Sequence, residues 1–442
     1  MNRFFVVWAA SALMAILGQN ASADWPQFRG PRGDGHATAE GLVAEFAEDK
    51  NVLWKEAIPG KGWSSPVFGK GLIWLTTAET AGATPEQLEK AKEALAKNPI
   101  GKEMEVVGSI SMSAVAVEAS TGKLVAKIPL FKVEQPDAVH SLNSYASPSP
   151  ILDGERLYCH FGTWGTACIN TKSRQVIWKA NLPTKHSVGP GSSPCLCGKI
   201  LVIPCDGIDA QFVIGLDVLT GKEVWKTARP PMAGNEVETR KAFSTPLLIE
   251  HEGKQQVVVP GAQWVAAYDP LTGKSLWQVN YAPGFSNVPR PVYGNGLVYV
   301  CTGYMVPELW AIRPDGSGDV TTSHVAWKVK QQVPAMSSPI LVNEELYFVS
   351  DNGIVTCVNA TTGEQHWKKR IGGNFSASPM LADGKLFFCS REGETTLLKP
   401  GKTFEEIGRS TLDGQLMATP AIVDGTLLLR TQSHLYRIGA KR

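Results

Sequence analysis

Three stretches of this sequence hold residue types able to do chemistry. In Cys205-Asp206-Gly207-Ile208-Asp209 two carboxylates lie with two residues between them, the ligand type a hard cation takes. One loop supplies fewer oxygens than such an ion needs, and Asp-Gly is a common turn, so no metal site is assigned. His140-Ser141-Leu142-Asn143-Ser144 sets an imidazole among hydroxyls. No acid partner can be named for it and no nucleophile-elbow motif surrounds it, so no catalytic residue is assigned. The third group is eight cysteines, none in a Cys-x-x-Cys spacing. Cys159 and Cys168 flank Gly162-Thr163-Trp164-Gly165. A hairpin turn centred there would set them face to face, within reach of a disulfide. Cys195, Cys197 and Cys205 cluster in the following unit, while Cys301, Cys357 and Cys389 sit singly in apolar runs and read as buried thiols.

What must position these residues is a repeat. A small polar residue and a proline open an apolar strand at Ser65-Pro66, Ser149-Pro150, Ser193-Pro194, Thr245-Pro246, Ser338-Pro339, Ser378-Pro379 and Thr419-Pro420, with Arg290-Pro291 in the same role. From the second copy onward the prolines recur at roughly forty to fifty residues, the period of propeller blades. Turn signals such as Asp153-Gly154 and Asn295-Gly296 follow. Several units close on Thr-Gly and then tryptophan, as in Thr220-Gly221-Lys222-Glu223-Val224-Trp225, Thr272 to Trp277 and Thr362 to Trp367. Glycine accepts the left-handed turn, and the tryptophan on the outer strand is expected to pack between blades. Trp178 and Trp327 fill that place on altered turns, Val125 lies near it in blade one, and Phe404 is expected to serve in blade seven.

The last unit ends without its tryptophan strand, and Asn51-Val52-Leu53-Trp54-Lys55 at the other end of the chain supplies one. The expectation is an all-β, eight-bladed propeller of four-stranded antiparallel blades over residues 24–442, closed by this N-terminal strand. One helical insertion is expected in blade one at about 84–98, where Thr84-Pro85-Glu86 starts a helix with Leu88, Ala91 and Leu95 on one face.

Propeller topology brings the segments leading into each first strand and the loops between second and third strands to one mouth. The binding candidates gathered there are Trp63, Asn143, Trp164, Asp206, Asp209, Trp264, Arg290, Asp351 and Arg391, with His186, Tyr304, Met336, Asn352, Phe375 and Met417 beside them. Aromatic, amide and charged groups in this mixture suit an envelope protein or a small ligand. Arg3, the apolar run Phe4–Leu17 and Ala21-Ser22-Ala23 read as a signal peptide over 1–23, so a periplasmic or secreted protein without a membrane anchor is expected. A net charge of +2 over 442 residues gives no basis for a nucleic-acid partner.

The repeated phrases, with the opening Asp24-Trp25-Pro26-Gln27-Phe28-Arg29-Gly30, resemble the PQQ-repeat family over nearly the whole chain after the leader. That family holds quinoprotein alcohol and glucose dehydrogenases and the propeller subunit of the outer-membrane β-barrel assembly machinery. The dehydrogenase branch implies PQQ with calcium, a carboxylate base and often a vicinal disulfide stacked on the quinone; no Cys-Cys pair occurs here. The assembly subunit is closer in size, but it is a lipoprotein and this leader has no cysteine for lipid attachment. The resemblance therefore implies a non-catalytic binding or assembly scaffold in the cell envelope with no cofactor. A PQQ-dependent alcohol or sugar dehydrogenase is the alternative.

Overall fold

Each repeat folds as an antiparallel meander whose short inner strand follows the proline. Blade two is the plainest, with Ile151–Asp153, Arg156–His160, Thr166–Asn170 and Val176–Ala180 hydrogen-bonded in that order. The computed structural model describes residues 24–96 and 100–441, so the expected leader and the end of the expected insertion lie outside the described residues. Among those residues eight such sheets form the all-β, eight-bladed propeller, one of them extended by the two-residue strand Gly318–Asp319. The ring closes as the sequence implies. Val52–Ala57 lies antiparallel to His434–Ile438 and completes the sheet begun by Ala421–Val423 and Thr426–Arg430.

Two devices hold the blades together, and both use the repeated residues. Around the channel, in six of the eight blades the backbone N–H of the residue before the proline donates to the hydroxyl of its counterpart in the next blade. Ser65 donates to Ser149, Ser149 to Ser193 and Ser193 to Thr245 at 2.8, 2.9 and 3.0 Å. A second run goes from Arg290 to Ser338, Ser378 and Thr419 at 3.0, 3.0 and 2.9 Å. The proline that follows has no N–H to satisfy, so each step leaves little buried polar surface unpaired.

At the rim, the tryptophan of one blade lies on the turn glycine of the next. The indole N–H of Trp54, Trp178, Trp225 and Trp327 donates to the carbonyl of Ala119, Val218, Pro270 and Ala360, each in the following blade's turn. A Cβ on Gly221 or Gly273 would stand 2.4 Å from Trp178 or Trp225. Their φ values of +70° and +69° already favour glycine, so turn geometry and indole packing demand the same residue.

Two expectations are corrected. Cys159 pairs with Ala167, and Cys168 with Tyr158, so the two cysteines do not oppose each other. The pairing is one residue out of the assumed register, and a slip of one sends neighbouring side chains to opposite faces. Cys159 packs toward blade one and Cys168 toward blade three. All eight cysteines are buried free thiols. In blade seven, Gly408 occupies the tryptophan position opposite Leu397. Phe404 precedes that strand and packs edge-on against Trp367 of blade six at 5.3 Å. In blade one the position belongs to Ala126, so Val125 lies beside it as expected.

The helix runs Pro85–Leu95, and none of its residues is buried. Thr84 and Gln87 form a reciprocal capping box at 3.2 and 2.8 Å. The insertion joins the long strands Leu72–Gly82 and Val107–Glu118 of blade one. Its tail, Met104–Glu105, pairs with Val139–His140 on the way into blade two.

Candidate functional site

Most polar side chains at the mouth are turned inward to hold the loops that carry them. Asn143 donates to the carbonyls of Val188 and Pro190 at 3.0 and 3.2 Å. Its carbonyl accepts from the Ser144 N–H and the Ser147 hydroxyl at 2.8 and 2.6 Å. Asp209 accepts from the Lys185 N–H at 2.7 Å. Asp206 does not reach the mouth. It is buried in a two-bond pair with Arg229 at 2.8 and 2.5 Å, and Arg229 also donates to the Val259 carbonyl of blade four. Burial works against the Arg229 charge, yet Asp206 holds its pKa above the ordinary value. In the loop read as a possible cation ligand, Asp206 is thus paired within blade three to an arginine that reaches across the seam to blade four.

Asp351 and Arg391 are the two charged candidates brought within electrostatic reach of each other. Asp351 accepts the N–H groups of Ala335 and Met336 at 3.0 and 3.2 Å, and burial raises its pKa. Arg391 donates to the Ser376 hydroxyl at 2.8 Å and to the Phe375 carbonyl at 3.3 Å. Trp164 packs edge-on to Tyr145 at 5.1 Å, Trp264 donates to the Pro231 carbonyl at 2.9 Å, and Trp63 is buried. His140 meets Glu103 of the insertion at 2.8 Å while its other ring nitrogen accepts the Leu142 N–H. His186 accepts the Thr163 N–H at 3.0 Å, and burial lowers its pKa to about 4. The apolar side chains most open to solvent at the mouth are those of a loop tip, Tyr304-Met305-Val306, exposed by 54, 70 and 76 %.

The channel holds what the sequence reading missed. Residues 24–37 cross one end of it and hydrogen-bond to the inner strands of blades one, two, six and seven. Trp25 exchanges two backbone bonds with Phe68, and Pro26 accepts from the Leu152 N–H. Further along, Gly35 and Ala37 bond Leu381, and His36 donates through Nε2 to the Leu341 carbonyl at 2.7 Å. Arg290 leaves the mouth group for this region. It is fully buried and donates to the Phe28 carbonyl at 2.8 Å and the Pro246 carbonyl at 3.0 Å. Gly33 permits that contact, since a Cβ there would stand 2.3 Å from the guanidinium. Arg29 is buried too; desolvation lowers its pKa to about 9, Asp34 opposes the shift and Arg290 adds to it.

Between this segment and the inner strands of blades two to five lies a cavity of about 800 Å³. Arg290, Cys195, Leu248, Tyr293, Arg32 and Asp34 are among its walls. The volume falls within the range of small-molecule pockets. The sequence carried one signal for it, the single-copy phrase from Asp24 to Ala37, which repeats nowhere else in the chain.

A quinone with calcium needs several free oxygen ligands and a carboxylate base beside the substrate. Asp206 is spent on Arg229, Asp351 on two backbone N–H groups and Asp209 on a third. Among the described residues no three His, Cys, Asp or Glu side chains converge as metal ligands would. The donor set at this mouth does not fit that cofactor.

Comparison with known proteins agrees with the repeat. A family described as outer membrane protein assembly factor BamB matches residues 94–259, 261–352, 316–403 and 351–439. Tetrathionate hydrolase of Acidithiobacillus ferrooxidans is 22% identical over 323 residues, covering 70% of this chain and 54% of that protein. BamB of Legionella pneumophila is 22% identical over 218 residues, covering 44% and 49%. The chain thus spans about half the length of these curated relatives. Among solved structures, BamB from Moraxella catarrhalis superposes with a TM-score of 0.52 at 14% identity, over 76% of this chain and 100% of that one. Quinohemoprotein alcohol dehydrogenase ADHIIG from Pseudomonas putida HK5 gives 0.58 at 11% identity, over 95% and 81%. At such identities the superpositions speak for the fold alone.

Proposed function

The chain belongs to the PQQ-repeat propeller family described as outer membrane protein assembly factor BamB, and from that premise we propose that it is an exported, non-catalytic binding or assembly scaffold of the cell envelope. One observation carries this reading. The mouth's carboxylates and amides are committed to its own loops, while the apolar tip Tyr304-Met305-Val306 stands in solvent on a rigid closed ring. Groups already bonded to backbone are poorly placed to act as acids or bases on a substrate. An exposed apolar tip on a fixed frame is suited to anchor a protein partner. The relatives named as assembly factors support the same reading, and the leader at 1–23 supports export. No helix among the described residues is long and apolar enough to cross a membrane.

The test pairs capture with titration. The purified chain is expected to retain a defined envelope protein, and the double substitution M305D/V306D is expected to release it. PQQ with calcium should produce neither binding heat nor a quinone absorbance change. Quinone uptake accompanied by dye-linked alcohol or sugar oxidation would end this reading.

A further inference from the structure

The inner wall departs from its own repeat in blade three. The first and third residues of the inner strand are aliphatic in blade six, Ile340 and Val342, and in blade eight, Ala421 and Val423. In blade three both are cysteine, Cys195 and Cys197. Residues two apart on a strand share a face, and the two sulfurs stand 3.9 Å apart. Cys195 forms part of the wall of the channel cavity, which Arg290 also lines, and both cysteines pack among the apolar side chains between blades three and four. Cys205 is no part of this cluster, since it packs on the opposite side of the blade, toward blade two.

Geometry and charge together select a ligand. With metal–sulfur bonds of about 2.3 Å, sulfurs 3.9 Å apart subtend roughly 115° at a bound ion. That is a bent two-coordinate arrangement, or a trigonal one once a ligand from outside the protein joins, beside the cavity whose wall includes Cys195. No third protein donor converges among the described residues, so an ion requiring four protein ligands is poorly served. Thiolates select soft ions. Two thiolates with a monovalent ion leave one negative charge, which Arg290 compensates; with a divalent ion the site would be neutral and the buried Arg290 charge unmatched.

We propose that Cys195 and Cys197 form a two-thiolate site for a soft monovalent ion, Cu(I), beside the channel cavity. Binding breaks two S–H bonds, forms two S–Cu bonds and releases two protons to water, with no change of oxidation state. The site is independent of the scaffold reading and stands or falls separately.

The test uses the whole chain, reduced and kept free of oxygen, titrated with Cu(I) against a chromogenic Cu(I) chelator. One ion per chain is expected, with Zn(II) held far more weakly. Cys195→Ser and Cys197→Ser should each weaken binding roughly 100-fold or more, while Cys389→Ala should change nothing. Because either serine variant could fail to fold, X-ray absorption on the unaltered protein is the second measurement, and two sulfur neighbours at the copper are expected. A wild-type chain that competes no better than Cys195→Ser or Cys197→Ser would overturn the proposal. So would equal loss in Cys389→Ala, or a copper shell of nitrogen and oxygen alone.

Discussion

The seam between blades three and four and the seam between blades seven and eight solve one packing problem by different means. At the first, Trp225 covers Gly273 and donates to the Pro270 carbonyl, while Arg229 reaches from Asp206 to the carbonyls of Val259 and Pro260. At the second, glycine stands in the tryptophan position at Gly408, and its backbone lies against the Ala44 carbonyl. The N-terminal segment fills the space. Leu42 and Phe46 are buried against blades seven and eight, and the Phe46 N–H donates to the Ser410 hydroxyl at 2.9 Å. The comparison teaches that tryptophan and turn glycine are two halves of one contact. Blade one lacks the indole, with Ala126 in its place, and the turn of blade two correspondingly carries Arg174 at φ +61° instead of glycine.

The largest effect is expected at the first seam. Asp206→Ala leaves the Arg229 guanidinium buried and unpaired, so stability should fall by about 3–5 kcal/mol in urea unfolding. Adding Arg229→Met should restore much of that loss, since the stranded charge is then gone. At the second seam, Phe46→Ala should cost about 3 kcal/mol. Its signature should be local: amide exchange is expected to rise in blades seven and eight, with blades three and four unchanged. Faster exchange around the whole ring would show that the segment is not a seam filler.

These contrasts mark what could be read from the sequence. The blades, their count and the Velcro strand at Trp54 were legible because a repeat states the same packing requirement several times. The hydroxyl before each proline was visible as a pattern, but its bond to the next blade exists only once the ring is closed. Residues 24–37 contain no period and no apolar alternation; their single-copy phrase set them apart without saying that they would line the channel and take Arg290 with them. Asp206 and Asn143 looked like site residues because they fall in mouth loops; short loops, however, satisfy their backbone with the nearest polar side chain. Cys159 and Cys168 needed a register known to one residue, finer than turn signals supply.

The matched-contact idea is sharpened by Gly273→Ala. At φ +69°, with a Cβ 2.4 Å from Trp225, the substitution is strained and crowded, and should cost about 2 kcal/mol. In Trp225→Ala the crowding disappears and only the backbone strain remains, so the double variant should lose less than the sum of the singles. Strict additivity would mean that the glycine serves the turn alone.

The smallest effect is expected from His36, which ties the N-terminal segment to blade six. Burial lowers its pKa from 6.5, with Arg29 and Arg32 adding to the shift and Asp34 opposing it. The folded protein therefore binds its proton less readily than the unfolded chain. Its contribution is fully present above the unfolded value and is lost as pH falls through the lower, folded value. Acidification below about 6.5 should first speed amide exchange in residues 24–37, before the blades respond. His36→Gln keeps a donor for the Leu341 carbonyl but cannot take up the proton, so the early step should vanish. If it persists in His36→Gln, the acid sensitivity of this segment arises elsewhere, and the buried pair His160 and His186, lowered to about 3 and about 4, becomes the place to look.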